Sequence, residues 1–156
     1  MDGVSTRTTQ RSYSIKEAAA LTGLPASTLR YYESIGVIAP IGRDESSGHR
    51  VYTNEDLDLL TWVACLSATG MSVSDMRRYV ANRALGRAAA QHQLELLVKQ
   101  QEQLALEAEL VALRQRYVAL KIAYWRAVGA GDDAQIERLS NEARALADEL
   151  TKAKKN

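Results

Sequence analysis

Apolar residues recur along this chain in two rhythms, and the change between them falls near Gly86. Before it the stripes are short. Ile15, Ala18 and Ala19, widened by Leu21, form one stripe behind Ser14, and Glu17 three residues on completes an S-x-x-E capping box. Gly23 ends that helix; Pro25 and Ser27 restart the chain into a second one that carries Leu29, Arg30, Tyr32 and Ile35 and closes at Gly36. Two helices of this length across a Gly-containing turn match the helix-turn-helix pattern, in which the second helix enters a DNA major groove. A small helical hairpin in any bundle has the same local look. Residues 38–52 then read as a two-stranded hairpin around the turn-rich GRDESSGH, and a hairpin in this place makes a winged arrangement.

Thr53 caps the next helix, with Asp56 three residues later and Leu57, Leu60, Val63, Ala64 and Leu66 toward its buried side. Ala68-Thr69-Gly70 breaks it, and Ser72 with Asp75 caps a short helix bearing Val73, Met76, Tyr79 and Val80. After Gly86, Leu94, Leu97, Gln101, Leu104, Ala108, Val111, Gln115, Val118, Ile122 and Trp125 alternate spacings of three and four, the heptad of a coiled coil. A second stripe of Leu106, Leu110, Leu113, Tyr117, Leu120 and Tyr124 widens the apolar face, so other elements can dock there. From Gly86 to Val128 such a helix is a rod of roughly 60 Å. A bare apolar seam calls for a partner, and a second copy of the chain is the simplest one, joined through Leu94, Leu97, Leu104, Val111, Val118 and Ile122. Gly129-Ala130-Gly131 ends the rod. A last helix with Ile136, Leu139, Ala143, Leu146 and Leu150 on one face needs a surface to lie on, either the rod's end or the partner's first domain.

The expected fold is therefore mainly α. It comprises a disordered arm (1–11), a winged helix-turn-helix domain (12–85), a coiled-coil dimerisation helix (86–128), a short C-terminal helix (129–151) and a solvated tail (152–156).

Composition narrows the picture only a little. An apolar fraction of 46% is ordinary for a folded protein. No window approaches a membrane span or a signal peptide, and a single cysteine, Cys65, fits a reducing cytoplasm. Residues 1–85 hold nine Lys and Arg against nine Asp and Glu, so a DNA-binding face requires basic residues gathered on one side. No nucleophile-base set, metal-ligand cluster or phosphate-binding glycine loop appears, which disfavours an enzyme and gives no cofactor or metal. Ser27, Thr28, Arg30 and Tyr31 crowd the second helix with groups that reach phosphates or base edges. Arg43, His49, Arg50 and Tyr52 are placed to grip the backbone beside it. A structural coiled-coil adaptor without DNA binding is the alternative class.

The run YSIKEAAALTGLPASTLRYYESIGVIAP at 13–40, the HRVY at 49–52 and TNEDLDLLTWVACLSATGMSVSDMRRYV at 53–80, followed by the long helix, resemble the MerR family of bacterial transcriptional regulators. The resemblance implies a homodimer through an antiparallel coiled coil, gripping an inverted repeat in double-stranded promoter DNA. An effector would make it distort that DNA so that RNA polymerase can engage. It also implies recognition contacts from Thr28, Arg30 and Tyr31, nearby contacts from Ser14 and Lys16, and wing contacts from Arg43, Arg50 and Tyr52. The segment around Cys65 is most like the subgroup that answers aldehydes and other electrophiles through one cysteine. The apolar neighbours Val63, Ala64 and Leu66 favour an inert core thiol over a sensor. A pocket for a small apolar effector between Tyr117, Tyr124, Trp125 and the final helix is the other possibility.

Overall fold

The computed structural model describes residues 11–154. The predicted N-terminal arm, save Arg11, and the last two residues of the tail lie outside the described residues. Six α-helices follow in order: α1 Ile15–Thr22, α2 Ala26–Ser34, α3 Asn54–Ala68, α4 Val73–Arg83, α5 Ala90–Ala130 and α6 Asp133–Ala153, with a 3-10 turn at Gly86–Ala89 before α5. They form two compact units divided inside α5, after Gln100.

The first unit is built as its capping residues dictate. Ser14 and Glu17 exchange both hydrogen bonds of a capping box at α1, and Thr53 and Asp56 do the same at α3. Ser72 caps α4 through its hydroxyl, but the reciprocal bond is missing because Asp75 turns instead to Lys99, Oδ2 to Nζ 2.7 Å. At the end of α2, Gly36 takes a φ of 75°, and Val37 N–H reaches back to Tyr32 O at 2.9 Å. This Schellman-type ending needs a left-handed residue, which glycine supplies without a Cβ penalty. α1 packs on α2 and α3, and α3 on α4, around Ala18, Leu29, Tyr32, Leu60, Val63 and Met76. The first turns of α5 belong to this unit: Leu96 is buried, Gln93 Nε2 donates to Tyr79 O at 2.9 Å and Gln100 Nε2 to Thr69 O at 2.7 Å.

Two expectations change here. The two-stranded hairpin over 38–52 is not formed; the segment is a loop with one antiparallel bridge, Arg43 to Arg50, and a second bridge ties Tyr52 to Tyr13. GRDESSGH is too rich in turns to extend a ladder, and Asp44 gathers the Ser46 and Ser47 hydroxyls and backbone amides into a tight local knot. Second, Tyr52 is not on the surface. It is wholly buried, and its hydroxyl has no hydrogen-bond partner. Pairing with Tyr13 turns its ring into the core, where burial raises its pKa.

In the second unit α5 continues and α6 packs back along it. The turn is a Schellman ending at Gly131, with Asp132 N–H bonded to Ala127 O at 3.1 Å; Asp132 then caps α6. Leu139, Ala143 and Leu146 of α6 are buried, and Leu110, Leu113, Tyr117, Leu120 and Tyr124 of α5 are half-buried. The second α5 stripe, except Leu106, which stays exposed, is thus the surface that the last helix needed. α6 runs to Ala153, so residues 152 and 153 are helical rather than tail.

Candidate nucleic-acid interface

The short helix α2 decides the site. Leu29 and Tyr32 face the core, and Tyr32 O–H donates to Ser67 Oγ at 3.1 Å, which fixes the helix to α3. The opposite face then carries Ser27, Arg30, Tyr31 and Ser34, spaced as one side of a helix and all exposed. Tyr31 is 51% exposed, a large ring left in water by a helix only nine residues long. Thr28 is half-buried.

The neighbouring segments supply cations. Lys16 is exposed on α1, while the Ser14 hydroxyl is engaged in its cap, accepting from Glu17 N–H at 3.2 Å. In the loop, Arg43 donates through Nη1 to Gly48 O at 2.9 Å, and His49 is exposed. Arg50 donates through Nε to Glu33 Oε2 at 2.7 Å, and the other oxygen of Glu33 accepts from Ile41 N–H at 3.4 Å. Glu33 therefore ties the loop to the end of α2 at both its start and its finish. It leaves the terminal nitrogens of Arg50 available, since a guanidinium has five donors. Sequence reasoning assigned Glu33 no role; a carboxylate ending a TLRYYE run 17 residues before an arginine was the available signal.

Three of the acids near this face are engaged within the chain, while Glu45 is exposed in the loop. Glu33 is neutralised by Arg50, and Glu17 is committed to its capping box, which lowers its pKa. Asp44 is held at a pKa of about 2, first by the Ser46 hydroxyl and then by Ser47. Its bonds order the loop that presents Arg43 and His49.

Cys65 is exposed, which overturns the buried reading. Asp58, Trp62 and Cys65 lie on one outer face of α3, a spacing legible in the sequence but outweighed there by apolar neighbours. Arg83 covers the Trp62 ring at 4.1 Å on the same side. In the second unit Tyr117 and Tyr124 are half-buried and Trp125 is exposed.

A family model described as the MerR HTH family regulatory protein matches residues 13–83, from the Tyr13 bridge to the last residue of α4. An HTH-type transcriptional regulator of Haemophilus influenzae is 32% identical over 118 residues, covering 74% of this chain and 84% of that protein. The chain belongs to the MerR family. The MerR-family regulator HiNmlR, which lacks the sensor domain and was crystallised bound to promoter DNA, is 28% identical with a TM-score of 0.64. That likeness covers 83% of this chain and 96% of HiNmlR. The HTH-type regulator AdhR of Bacillus subtilis is 38% identical over 65 residues, which span 42% of this MerR-family chain and 46% of AdhR.

Proposed function

We propose that this MerR-family chain is a sequence-specific DNA-binding transcriptional regulator that acts as a homodimer on an inverted-repeat promoter site. The observation that carries this reading is the exposed Ser27, Arg30, Tyr31 and Ser34 face on a helix whose other face is locked into the core. In this reading Arg30 and Tyr31 reach base edges, and Lys16, Arg43, His49 and Arg50 meet phosphate. The loop at 42–51 serves as the wing without forming a ladder. The promoter-bound HiNmlR is a relative with this architecture.

Two features of α5 support the dimer and its direction. Leu94, Leu97, Leu104, Val111, Val118 and Ile122, the predicted seam, are each at least 40% exposed within one chain. Charge along the helix is lopsided: residues 90–110 carry Glu95, Glu102, Glu107 and Glu109 with Lys99, whereas 111–130 carry Arg114, Arg116, Lys121 and Arg126 with no acid. A parallel copy sets like charges together; an antiparallel copy sets acids against bases. Bending DNA costs several kcal/mol, of order 1–6 for a short site, and contacts from two linked reading heads offset it. RNA polymerase then engages the distorted promoter. Mixing the protein with fragments of its own promoter region tests the reading: one discrete complex with two chains per duplex is expected. Binding to all fragments alike contradicts it.

The exposure of Cys65 favours a second, finer reading, in which an aldehyde or other electrophile is the effector. The sulfur adds to the aldehyde carbon: a C–S bond forms, the C=O π bond breaks with its electron pair going to oxygen, and that oxygen takes up the proton the thiol gives to water, leaving a hemithioacetal. The product stands beside Trp62 on the outer face of α3. Electrophile-induced transcription that persists unchanged in Cys65→Ser sinks this reading and leaves DNA binding intact.

A further inference from the structure

We propose that the groove between α5 and α6 binds a small aromatic anion, a ring bearing a carboxylate. The groove encloses about 340 Å³ and is walled by Tyr117, Lys121, Tyr124 and Trp125 from α5 and by Ser140 and Arg144 from α6. That volume falls at the lower end of the usual range for ligand sites, about 300–1,000 Å³.

The lining has one chemical bias. Rings form one part of it: Trp125 meets Tyr124 edge-on, with centroids 5.5 Å apart. Lys121 and Arg144 are its two positive donors, and Ser140, Ala143 and Ala147 complete it with small side chains. Lys121 Nζ lies 5.4 Å from the centre of the Tyr124 ring and 6.0 Å from that of Tyr117. Among the described residues neither Lys121 nor Arg144 has a carboxylate within salt-bridge distance; the one ion pair on α6 joins Arg138 to Glu142. No acid occurs anywhere in residues 110–131. Lys121 therefore rests on aromatic faces instead of a counter-ion. A planar anion satisfies both halves of the lining at once: the carboxylate takes charge-assisted bonds from Lys121 and Arg144, and the ring stacks on Tyr124 and Trp125. A neutral apolar molecule leaves the two cations unpaired, and a cation is repelled.

A larger, more open hollow of about 510 Å³ adjoins it, sharing Tyr117, Lys121 and Trp125 and lined otherwise by Val118, Ile122 and Arg126. Val118 and Ile122 are positions of the proposed seam, whose heptad ends at Trp125, whereas the α6 wall of the smaller groove comes from the same chain. The groove shares no residue with the DNA-contacting face, so its test needs no DNA.

The test uses the full chain carrying Trp62→Phe, which leaves Trp125 as the lone tryptophan. Its emission is followed during titration with benzoate, benzyl alcohol and benzylamine, with calorimetry alongside. A saturable change with benzoate is expected, with the alcohol and the amine far weaker. Arg144→Gln weakens benzoate at least about tenfold, as loss of a charge-assisted bond predicts. Arg116→Gln, which lies on the opposite flank with Ala119 and Glu142, leaves it unchanged. No saturable change at millimolar benzoate, equal binding of benzyl alcohol, or equal loss in the two arginine variants overturns the proposal.

Discussion

The two units of this chain treat their apolar side chains in opposite ways. Up to Gln100, Leu29, Tyr32, Leu60, Val63 and Met76 are buried within one chain, and the large apolar groups left outside are Leu21, Tyr31, Trp62 and Leu85, together with Leu94, Leu97 and Val98 on the first turns of α5. Beyond it, α5 is apolar on two sides. α6 takes one of them, leaving Leu104, Val111, Val118 and Ile122 in water. Globular chains rarely leave a continuous apolar strip uncovered. The contrast teaches that the reading head is complete in one copy, while the helix that carries it is half of a structure.

The sharpest way to break the contrast is to charge the seam. Val118→Asp with Ile122→Asp removes four apolar side chains from a symmetric interface, about 6 kcal/mol or more at roughly 1.5 each. Sedimentation of the double variant is expected to give a monomer at micromolar concentration, with DNA binding lost but the helical signal of the first unit retained. Loss of all helical signal shows instead that the first unit depends on the seam. Next in size is Arg30→Ala, which should cost about 1–3 kcal/mol in affinity and relax discrimination between sequences. Lys16→Ala, by contrast, should weaken every sequence alike and lower the salt slope by about one. Anisotropy titrations at several salt concentrations separate these two outcomes.

Asp75 supports the joint between α4 and α5 and makes a smaller, pH-dependent contribution. Its pKa is lowered, chiefly by the Lys99 hydrogen bond and then by Ser72. Because the folded value lies below the unfolded one, the stabilisation is complete above the ordinary aspartate range and disappears as pH falls through the lowered value. Lys99 is largely exposed, which limits the effect to about 1 kcal/mol or less. Unfolding midpoints of Asp75→Asn and the parent chain should therefore differ at neutral pH and converge in strong acid. A constant difference at all pH values contradicts this assignment. The smallest effect belongs to Tyr52→Phe. A buried hydroxyl without a partner is lost at little cost, so stability should stay the same or rise by no more than about 1 kcal/mol, with DNA affinity unchanged. A drop in affinity puts Tyr52 back on the interface.

Much of this was legible because it is local. The capping pairs Ser14 with Glu17 and Thr53 with Asp56, the break at Gly36 and the two stripes of α5 each sit within a few residues of sequence, and each forms as its spacing predicts. The failures are long-range. Ser72 and Asp75 have the same spacing as the other capping pairs, but Lys99, 24 residues away, claims the carboxylate. Tyr52 reads as a loop residue until Tyr13, from the other end of the domain, bridges to it and turns it inward. Cys65 is a different case: its helical phase with Trp62 and Asp58 placed it outside, and the apolar residues beside it in sequence carried more weight than that phase.

The central claim is that Arg30 and Tyr31 read DNA as a mirrored pair. It is tested most directly by the stoichiometry and sequence dependence of the complex with the chain's own promoter fragment, measured by sedimentation of labelled duplex. Two chains per duplex on the inverted repeat are expected, with a large loss of binding when one half-site is scrambled. One chain per duplex, or equal binding to the scrambled fragment, contradicts it.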